Sequence, residues 1–158
     1  VSPSNHFVFT PMLASAATET VEYRSMTEAV RSANGMIEEY IEGKAVGINV
    51  EKRKVTIRLN SLLEKQKEGE PPEMELNYDH LVCAVGCKVD DKNVPGASKS
   101  LRLKSCDDAR KLRTAIGECF EYASRPDVAG AENAQERTQR ATFLIVGGGP
   151  TGVELAGE

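Results

Sequence analysis

The sequence predicts an α/β fold, and three observations support that prediction. Residues 143–158 have the order of an apolar strand, a glycine-rich turn and the first turns of a helix. Residues 81–85 are a continuous apolar run, which is typical of a strand buried on both faces of a parallel sheet. Alternating apolar residues between positions 40 and 78 predict an antiparallel β-meander inserted into that sheet fold.

The chain begins with a short predicted strand. Residues 6–13 are mostly apolar but contain Thr10 and Pro11, and proline cannot continue a central strand. The strand is therefore expected to stop at this pair. Residues 15–20 are small and polar, which predicts a loop or a short helix.

Capping patterns predict two helices. Ser25 and Glu28 match the capping box S-x-x-E, so we expect a helix that reaches about Ala33. Ser105 is the predicted cap of a second helix that ends near Ala123. Its predicted buried face consists of Ala109, Leu112, Ile116, Cys119 and Phe120.

The middle of the chain changes from helical to strand periodicity. Residues 40–50 and 54–59 carry apolar side chains at every second position, with the charged turn 51–54 between them. This pattern predicts a hairpin, and residues 73–78 add a third strand. The charged stretch 62–72 predicts a solvated loop.

Later segments connect the predicted elements. Residues 93–96 predict a turn from their Asn, Pro and Gly content. The polar residues 125–139 predict an exposed linker before the final strand at 143–146.

The glycine-rich turn contains the motif G-x-G-x-x-G. Gly147 would make the tight turn, Gly149 would admit a pyrophosphate close to the backbone, and Gly152 would let the helix pack closely on the strand. Pro150 suits the first helical turn, where a backbone N–H has no intrahelical partner. With a strand before it and a helix after it, the motif predicts dinucleotide binding. A glycine-rich loop without a ligand is the alternative.

Composition excludes several functional classes. The net charge of −4 and the pI near 5.4 argue against nucleic acid as a main partner. The sequence has no apolar run long enough to predict a transmembrane helix. No metal site is predicted, because His6 and His80 are far apart and lack paired cysteine ligands. Four cysteines without C-x-x-C spacing predict free thiols in a reducing compartment: Cys83, Cys87, Cys106 and Cys119.

Four segments together resemble one family. They are FVFTPMLA at 7–14, VEYRS with EAVR at 21–31, YDHLVCAVG followed by VPG at 78–96, and GGGPTGVE at 147–154. In this order the sequence resembles type II (alternative) NADH dehydrogenases. These are single-chain flavoproteins of the pyridine nucleotide-disulfide oxidoreductase superfamily.

The resemblance implies a Rossmann-like flavoprotein fold with two dinucleotide-binding units, one for FAD and one for NADH. Residues 1–124 would be the C-terminal part of the FAD-binding domain, including the meander at about 37–78. Residues 125–140 would be a linker, and residues 141–158 would begin the NADH-binding domain. The FAD fingerprint is expected before residue 1, so the chain is expected to be an internal piece of a longer protein.

The resemblance also implies site residues, each with a plainer alternative. Thr10 and Pro11 would lie near the flavin ring and the quinone entrance, or would only end a strand. Glu154 would be the catalytic residue near the meeting point of nicotinamide and flavin, or a carboxylate that only favours the helix dipole.

The remaining implied residues would bind cofactors. Ala84, Val85 and Gly86 would lie where a buried strand ends against FAD, or would reflect tight packing. The residues implied to hold the NADH pyrophosphate are Gly147, Gly148, Gly149, Pro150, Thr151 and Gly152.

The reaction implied by the resemblance passes electrons from NADH through FAD to a quinone, without proton pumping. The family implies a homodimer on a membrane surface that it reaches through parts outside this chain. The implied location is the mitochondrial inner membrane, with plastid or bacterial plasma membranes as alternatives. Taken alone, these 158 residues are expected to be inactive and to hold no flavin.

Two other functions stay open at this point. One is another two-dinucleotide reductase of the disulfide or ferredoxin type, although Cys83 and Cys87 have poor spacing for a redox pair. The other is a non-catalytic nucleotide-binding module.

Overall fold

The computed structural model describes residues 1–60, 71–88 and 94–158. The chain forms two compact units, and both are discontinuous in sequence. The first unit contains Val1–Phe7 and Glu28–Asp90, and the second contains Val8–Thr27 and Asp91–Glu158.

The described residues contain five strands and five α-helices. The strands are β1 (His6–Val8), β2 (Thr27–Ala29), β3 (Gly43–Asn49), β4 (Lys54–Leu59) and β5 (Glu73–Asn77). The helices are α1 (Leu13–Ala17), α2 (Val30–Ala33), α3 (Cys106–Ser124), α4 (Ala134–Arg140) and α5 (Pro150–Gly157). Short 3₁₀ turns cover Thr10–Met12, Tyr23–Met26, Ala97–Lys99, Pro126–Val128 and Ala131–Asn133.

The first unit is built on the predicted meander. Its sheet has the order β3-β4-β5 with antiparallel pairing throughout, so the hairpin and the third strand are confirmed. Ile57 lies opposite Ala45 on one side and Met74 on the other, and its side chain is fully buried. A bulge between Ala45 and Gly47 shifts the register of β3. The predicted loop 62–72 falls almost wholly outside the described residues.

The opposite face of the meander is polar. Arg58 lies directly across from Glu73, and its Nε and Nη2 donate to one carboxylate oxygen at 3.0 and 2.8 Å. Lys54 Nζ lies 2.6 Å from a carboxylate oxygen of Glu75. These cross-strand pairs add little free energy because they are exposed, but they favour the observed register.

The second unit encloses a small core of buried side chains. Its members are Leu13, Ala16, Ala17, Met26 and Ala109. The helix predicted from Ser105 is confirmed as α3, and its capping box is complete. Ser105 Oγ accepts from the Asp108 N–H at 3.2 Å, and the Asp108 carboxylate accepts from the Ser105 N–H at 2.9 Å.

Packing of the predicted α3 face differs from the expectation at one end. Ala109 is buried, but Phe120 is 54% exposed. The Phe120 ring lies 5.9 Å from the ring of Phe143, measured between centroids, so its contact is with the segment that follows α4.

The helix predicted from Ser25 is wrong. Residues 27–29 are extended as β2, and the four-residue α2 begins only at Val30, with no side-chain cap. Pairing with the chain start explains the difference. Phe9 N–H donates to Met26 O at 2.8 Å, and Val30 N–H donates to Asn5 O at 2.9 Å. Non-local backbone bonds therefore override the local capping pattern.

The polar segment 125–139 is more ordered than its composition predicts. It is exposed as expected, yet it contains helix α4. Tyr122 of α3 donates a hydrogen bond to Glu136 at 2.6 Å, and the Arg140 guanidinium lies 4.1 Å from the Tyr122 ring centre. These contacts hold α4 on α3. The use of this segment as a linker between domains stays a prediction.

The predicted buried strands at 81–85 and 143–146 are wrong as elements of this structure. Neither segment forms a strand, and Val82 and Leu144 are 86% and 88% exposed. A strand needs backbone partners on its neighbours. Among the described residues no strand lies beside either segment. The apolar side chains of these two segments indicated burial, but they carry no information about neighbouring strands with which the backbone could form hydrogen bonds.

Candidate dinucleotide-binding site

The glycine motif forms a sharp turn at the start of α5. Gly147 has a φ of +124°, a conformation that side chains other than hydrogen rarely allow. Gly149 is extended and is the N-cap of α5, so its carbonyl accepts from the N–H groups of Gly152 and Val153 at 3.0 and 3.1 Å. Pro150 occupies the first turn of α5, as predicted.

Gly152 is required by a close contact within the loop. A Cβ atom at this position would lie 2.3 Å from the Gly147 carbonyl oxygen and 3.5 Å from Cγ2 of Ile145. The sequence predicted that Gly152 allows the helix to approach the preceding segment. The geometry agrees, although that segment is extended without being a strand.

Gly149 has the opposite surroundings. A Cβ atom at this position would have no neighbour within 4 Å in the described chain. Close by, the N–H groups of Gly148, Gly149 and Thr151 donate to no acceptor among the described residues. Open space beside unpaired N–H groups at a helix N-terminus is what a phosphate group would fill. The loop therefore fits a dinucleotide pyrophosphate.

Two contacts anchor α5 within the second unit. Leu155 packs against the buried cluster, which includes Leu13, Ala16 and Ala17. The Glu158 carboxylate accepts hydrogen bonds from Ser15 Oγ at 2.6 Å and Thr20 Oγ1 at 2.7 Å. Hydrogen bonds from Ser15 and from Thr20 hold the pKa of Glu158 below its usual range. Sequence reasoning missed Glu158, because no local pattern indicates a partner so distant along the chain.

The residues proposed for the flavin side lie on exposed backbone. Thr10 and Pro11 form a 3₁₀ turn directly after β1, so the predicted strand end is confirmed. Ala84, Val85 and Gly86 are exposed and lie outside any strand, which corrects the expectation of a buried strand end. Gly86 has a φ of +68°, and a Cβ atom there would meet nothing within 4 Å.

Glu154 lies on the exposed side of α5. Within the described chain its side chain makes no hydrogen bond or ion pair, so a role toward a bound cofactor and a helix-dipole role both stay open.

A second polar cluster was also missed. Arg113 of α3 donates from Nε to Glu19 at 2.9 Å and from Nη1 to Glu22 at 3.0 Å. Hydrogen bonds to Glu19 and Glu22 raise the pKa of the Arg113 guanidinium. This ion-pair cluster ties α3 to the turn after α1. Sequence separations of 94 and 91 residues place these pairs beyond any periodicity argument.

Residues 2–158 match the model of the family described as pyridine nucleotide-disulphide oxidoreductase. The chain belongs to the pyridine nucleotide-disulphide oxidoreductase family. The predicted α/β flavoprotein fold is confirmed by this match and by the solved structures described next.

Several curated proteins are similar over the whole chain. A protein named probable NADH dehydrogenase from Dictyostelium discoideum is 39% identical over 160 residues, which is 33% of its length. The mitochondrial external alternative NAD(P)H-ubiquinone oxidoreductase B1 of Solanum tuberosum is 39% identical over 165 residues, 27% of its length. The mitochondrial external NADH-ubiquinone oxidoreductase 2 of Saccharomyces cerevisiae is 38% identical over 163 residues, 28% of its length.

Solved structures of NDH2 from Plasmodium falciparum have the same fold. The complex with RYL-552 superposes on 98% of this chain with a TM-score of 0.74 and 26% identity, and the complex with NADH gives 0.71 and 26%. These matches confirm the resemblance to type II NADH dehydrogenases. The chain spans about a third or less of the relatives it matches, namely 33%, 27% and 28% of the three curated proteins and 30% of each solved chain.

Two features are absent from the described residues. No described helix is both long and apolar enough to cross a membrane. In the same residues, no cluster of three or more His, Cys, Asp and Glu side chains is placed to hold a metal ion. The four cysteines are free, with Cys83 and Cys87 exposed.

Proposed function

We propose that the whole protein is a flavin-dependent NADH:ubiquinone oxidoreductase, in which the glycine loop 147–152 binds the NADH pyrophosphate. The observation that carries the proposal is the contrast within that loop. Gly152 has no room for a side chain, while the Cβ position of Gly149 is open and the N–H groups of Gly148, Gly149 and Thr151 donate to no acceptor among the described residues. The names of the similar proteins support ubiquinone as the acceptor.

The overall reaction converts NADH, a proton and a quinone into NAD⁺ and a quinol. FAD, when bound, supplies the two-electron redox chemistry. The residues of this chain bind and orient the reactants. The Gly148, Gly149 and Thr151 N–H groups would hold the phosphates, and the N-terminal end of the α5 dipole would favour their negative charge.

Two groups of residues are proposed to contact FAD. Gly86 has a positive φ and an open Cβ position, which suits close approach of a ligand to the backbone around Ala84 and Val85. Thr10 and Pro11 are exposed in the 3₁₀ turn after β1, where a ring system could reach them. We propose these five residues as contacts of the flavin.

Glu154 is proposed to face the nicotinamide and flavin when both are bound. Its position in the helix that follows the glycine loop, together with its unpaired side chain, supports this role. In that place the carboxylate could orient a reacting group or hold a proton.

The proposal includes location and assembly. We place the protein on the surface of the mitochondrial inner membrane, because the similar plant and yeast proteins are named as mitochondrial. A homodimer and attachment through segments outside this chain are further parts of the proposal. The domain division proposed is residues 1–124 for FAD, 125–140 as a linker and 141–158 for NADH.

Anaerobic stopped-flow spectroscopy of the whole protein tests this function. NADH should bleach the flavin absorbance near its oxidised maximum, and a soluble ubiquinone should then restore it. Restoration by a disulfide substrate but not by ubiquinone would favour the disulfide-reductase alternative. A purified protein with no flavin and no NADH oxidation would support the non-catalytic nucleotide-binding module instead.

A further inference from the structure

Helix α5 is tied to α1 by one carboxylate, eight residues after Pro150. Each oxygen of Glu158 accepts one hydroxyl hydrogen bond, from Ser15 Oγ at 2.6 Å and from Thr20 Oγ1 at 2.7 Å. Hydrogen bonds to a charged acceptor are the stronger kind, and two of them fix the carboxylate plane. The two donors come from α1 and from the turn directly after it.

That turn is held in an uncommon backbone conformation. Glu19 has a φ of +69°, which is costly for a residue with a side chain. Surrounding bonds maintain it: Arg113 binds the Glu19 carboxylate, and Val21 N–H donates to Ser15 O at 3.2 Å. The Thr20 hydroxyl, which follows Glu19 in this turn, donates to Glu158 at 2.7 Å.

The middle of α5 is fixed by packing. Leu155 rests on the buried cluster that includes Ala16 and Ala17 of α1. Small side chains at these positions let the two helices approach closely. Leu155 and Glu158 are therefore two separate points of attachment, three residues apart on one face of α5.

The glycine loop lies at the N-terminal end of the same helix. From Pro150 to Glu158 the helical rise is about 12 Å. A tilt of α5 by about 10° at the Glu158 end would displace the loop by about 2 Å, since the helix moves as a rod. Hydride transfer is sensitive to such displacements because the reacting atoms must lie within a near-contact distance.

We propose that Glu158 is a positioning residue for hydride transfer: its carboxylate fixes the direction of α5, and so the position of the dinucleotide loop, against α1. Helix α1 follows directly on the Thr10–Pro11 turn proposed to face the flavin. The inference rests on the proposed function and extends it to a residue outside the glycine motif.

The test uses the whole flavin-loaded protein and the variants Glu158→Ala and Glu158→Gln. In Glu158→Ala we expect the rate of flavin reduction by NADH to fall 10- to 100-fold. Reoxidation of the reduced flavin by a soluble ubiquinone should stay within about twofold of the unaltered protein, because that step does not use the glycine loop. Glu158→Gln keeps one acceptor oxygen, so its rate of flavin reduction should lie between the rates of Glu158→Ala and the unaltered protein.

A second readout is independent of turnover. Amide hydrogen exchange of residues 150–157 should become several-fold faster in Glu158→Ala, since the attachment of α5 is weakened. The double variant Ser15→Ala with Thr20→Val removes both donors and should reproduce Glu158→Ala. Combining all three changes should add nothing further, as expected for groups that act as one unit.

Glu118→Ala is the matched control. Glu118 is an exposed glutamate of α3 that makes no hydrogen bond in the described chain, so its variant should behave as the unaltered protein. Unchanged flavin reduction in Glu158→Ala, or additive effects in the triple variant, would overturn the inference alone. Failure of NADH to reduce the flavin in the unaltered protein would overturn the proposed function and this inference with it.

Discussion

Gly152 sits so close to Gly147 that a methyl group on its Cα would lie 2.3 Å from the Gly147 carbonyl oxygen. The contact is with backbone, which cannot rotate away as a side chain would. Helix α5 can therefore leave the glycine turn in the observed direction only with glycine at position 152.

Gly152→Ala should therefore damage the loop. We expect a loss of roughly 1–3 kcal/mol in stability from the clash and a large rise in the KM for NADH. Urea denaturation and steady-state kinetics of the whole protein measure the two effects. Gly157→Ala is the matched control, because it changes a glycine of the same helix with nothing within 4 Å. Equal behaviour of the two variants would contradict the steric argument.

Gly149→Val should weaken NADH binding without destabilising the fold. The protein leaves space for the new side chain, so the melting temperature and the flavin content should change little. The valine would occupy the place proposed for the pyrophosphate, and the KM for NADH should rise at least tenfold. Loss of flavin with unchanged NADH binding would instead assign this loop to FAD.

Ser105→Ala should weaken the start of α3. The serine hydroxyl accepts the Asp108 N–H, and loss of such a cap costs about 1 kcal/mol. The midpoint of urea denaturation reports the change. Ser124→Ala alters an exposed serine at the other end of α3 and should stay within about 0.5 kcal/mol of the unaltered protein.

Asp108 should make stability depend on pH in the acid range. Partial burial raises its pKa, but hydrogen bonds from Ser105 and from the Lys104 and Ser105 N–H groups outweigh burial and lower the pKa below the ordinary value. A carboxyl whose pKa is lower in the folded state stabilises the fold above its unfolded pKa of about 3.9. That contribution is lost as the pH falls through the lowered folded value.

The stability difference between the unaltered protein and Asp108→Asn should therefore shrink as the pH falls below about 4. Denaturation midpoints measured from pH 7 to pH 2.5 would show the convergence. Asp107→Asn removes a carboxylate from the same helical turn, which among the described residues forms one ion pair, a 3.8 Å contact with Arg110. A convergence of equal size in that control would show that the pH dependence comes from negative charge at the start of α3 and not from the capping hydrogen bonds.

Arg53 offers a stabilising change. It has a φ of +51° in the turn between β3 and β4, a conformation that glycine adopts without steric cost. We expect Arg53→Gly to raise the free energy of unfolding by about 0.5–1 kcal/mol, seen as a higher denaturation midpoint, and Arg53→Val to lower it, since β-branched residues fit this region poorly. A lower midpoint for the glycine variant would show that the Arg53 side chain stabilises the turn.

Local chemistry was predictable from the sequence. The meander followed from alternation around Ile57, and α3 from the Ser105 cap, because both patterns refer to residues close together in the chain. The glycine loop was predictable for the same reason, because the positive φ of Gly147 and the close contact of Gly152 with the Gly147 carbonyl both arise within six residues.

The features that the sequence did not predict depend on contacts between residues far apart in the chain. Ser25 and Glu28 match a capping box, yet backbone bonds from the chain start hold the segment extended. Glu158 finds its partners more than 130 residues away along the chain. No single-sequence pattern carries that information. Contacts with FAD and NADH likewise cannot be predicted from the sequence alone, because they depend on the positions of cofactor atoms.

The second unit combines residues 8–27 with residues 91–158, so it cannot fold until its second segment has been synthesised. The ion pair of Glu19 cannot form until Arg113 has been synthesised, 94 residues later. At about 5–20 residues per second of synthesis, that delay is about 5–20 seconds. The meander closes on neighbours within its own stretch of chain, so it can form during this interval. The growing polypeptide would thus carry residues 8–27 without their partners, exposed to chaperones and proteases, until α3 is made.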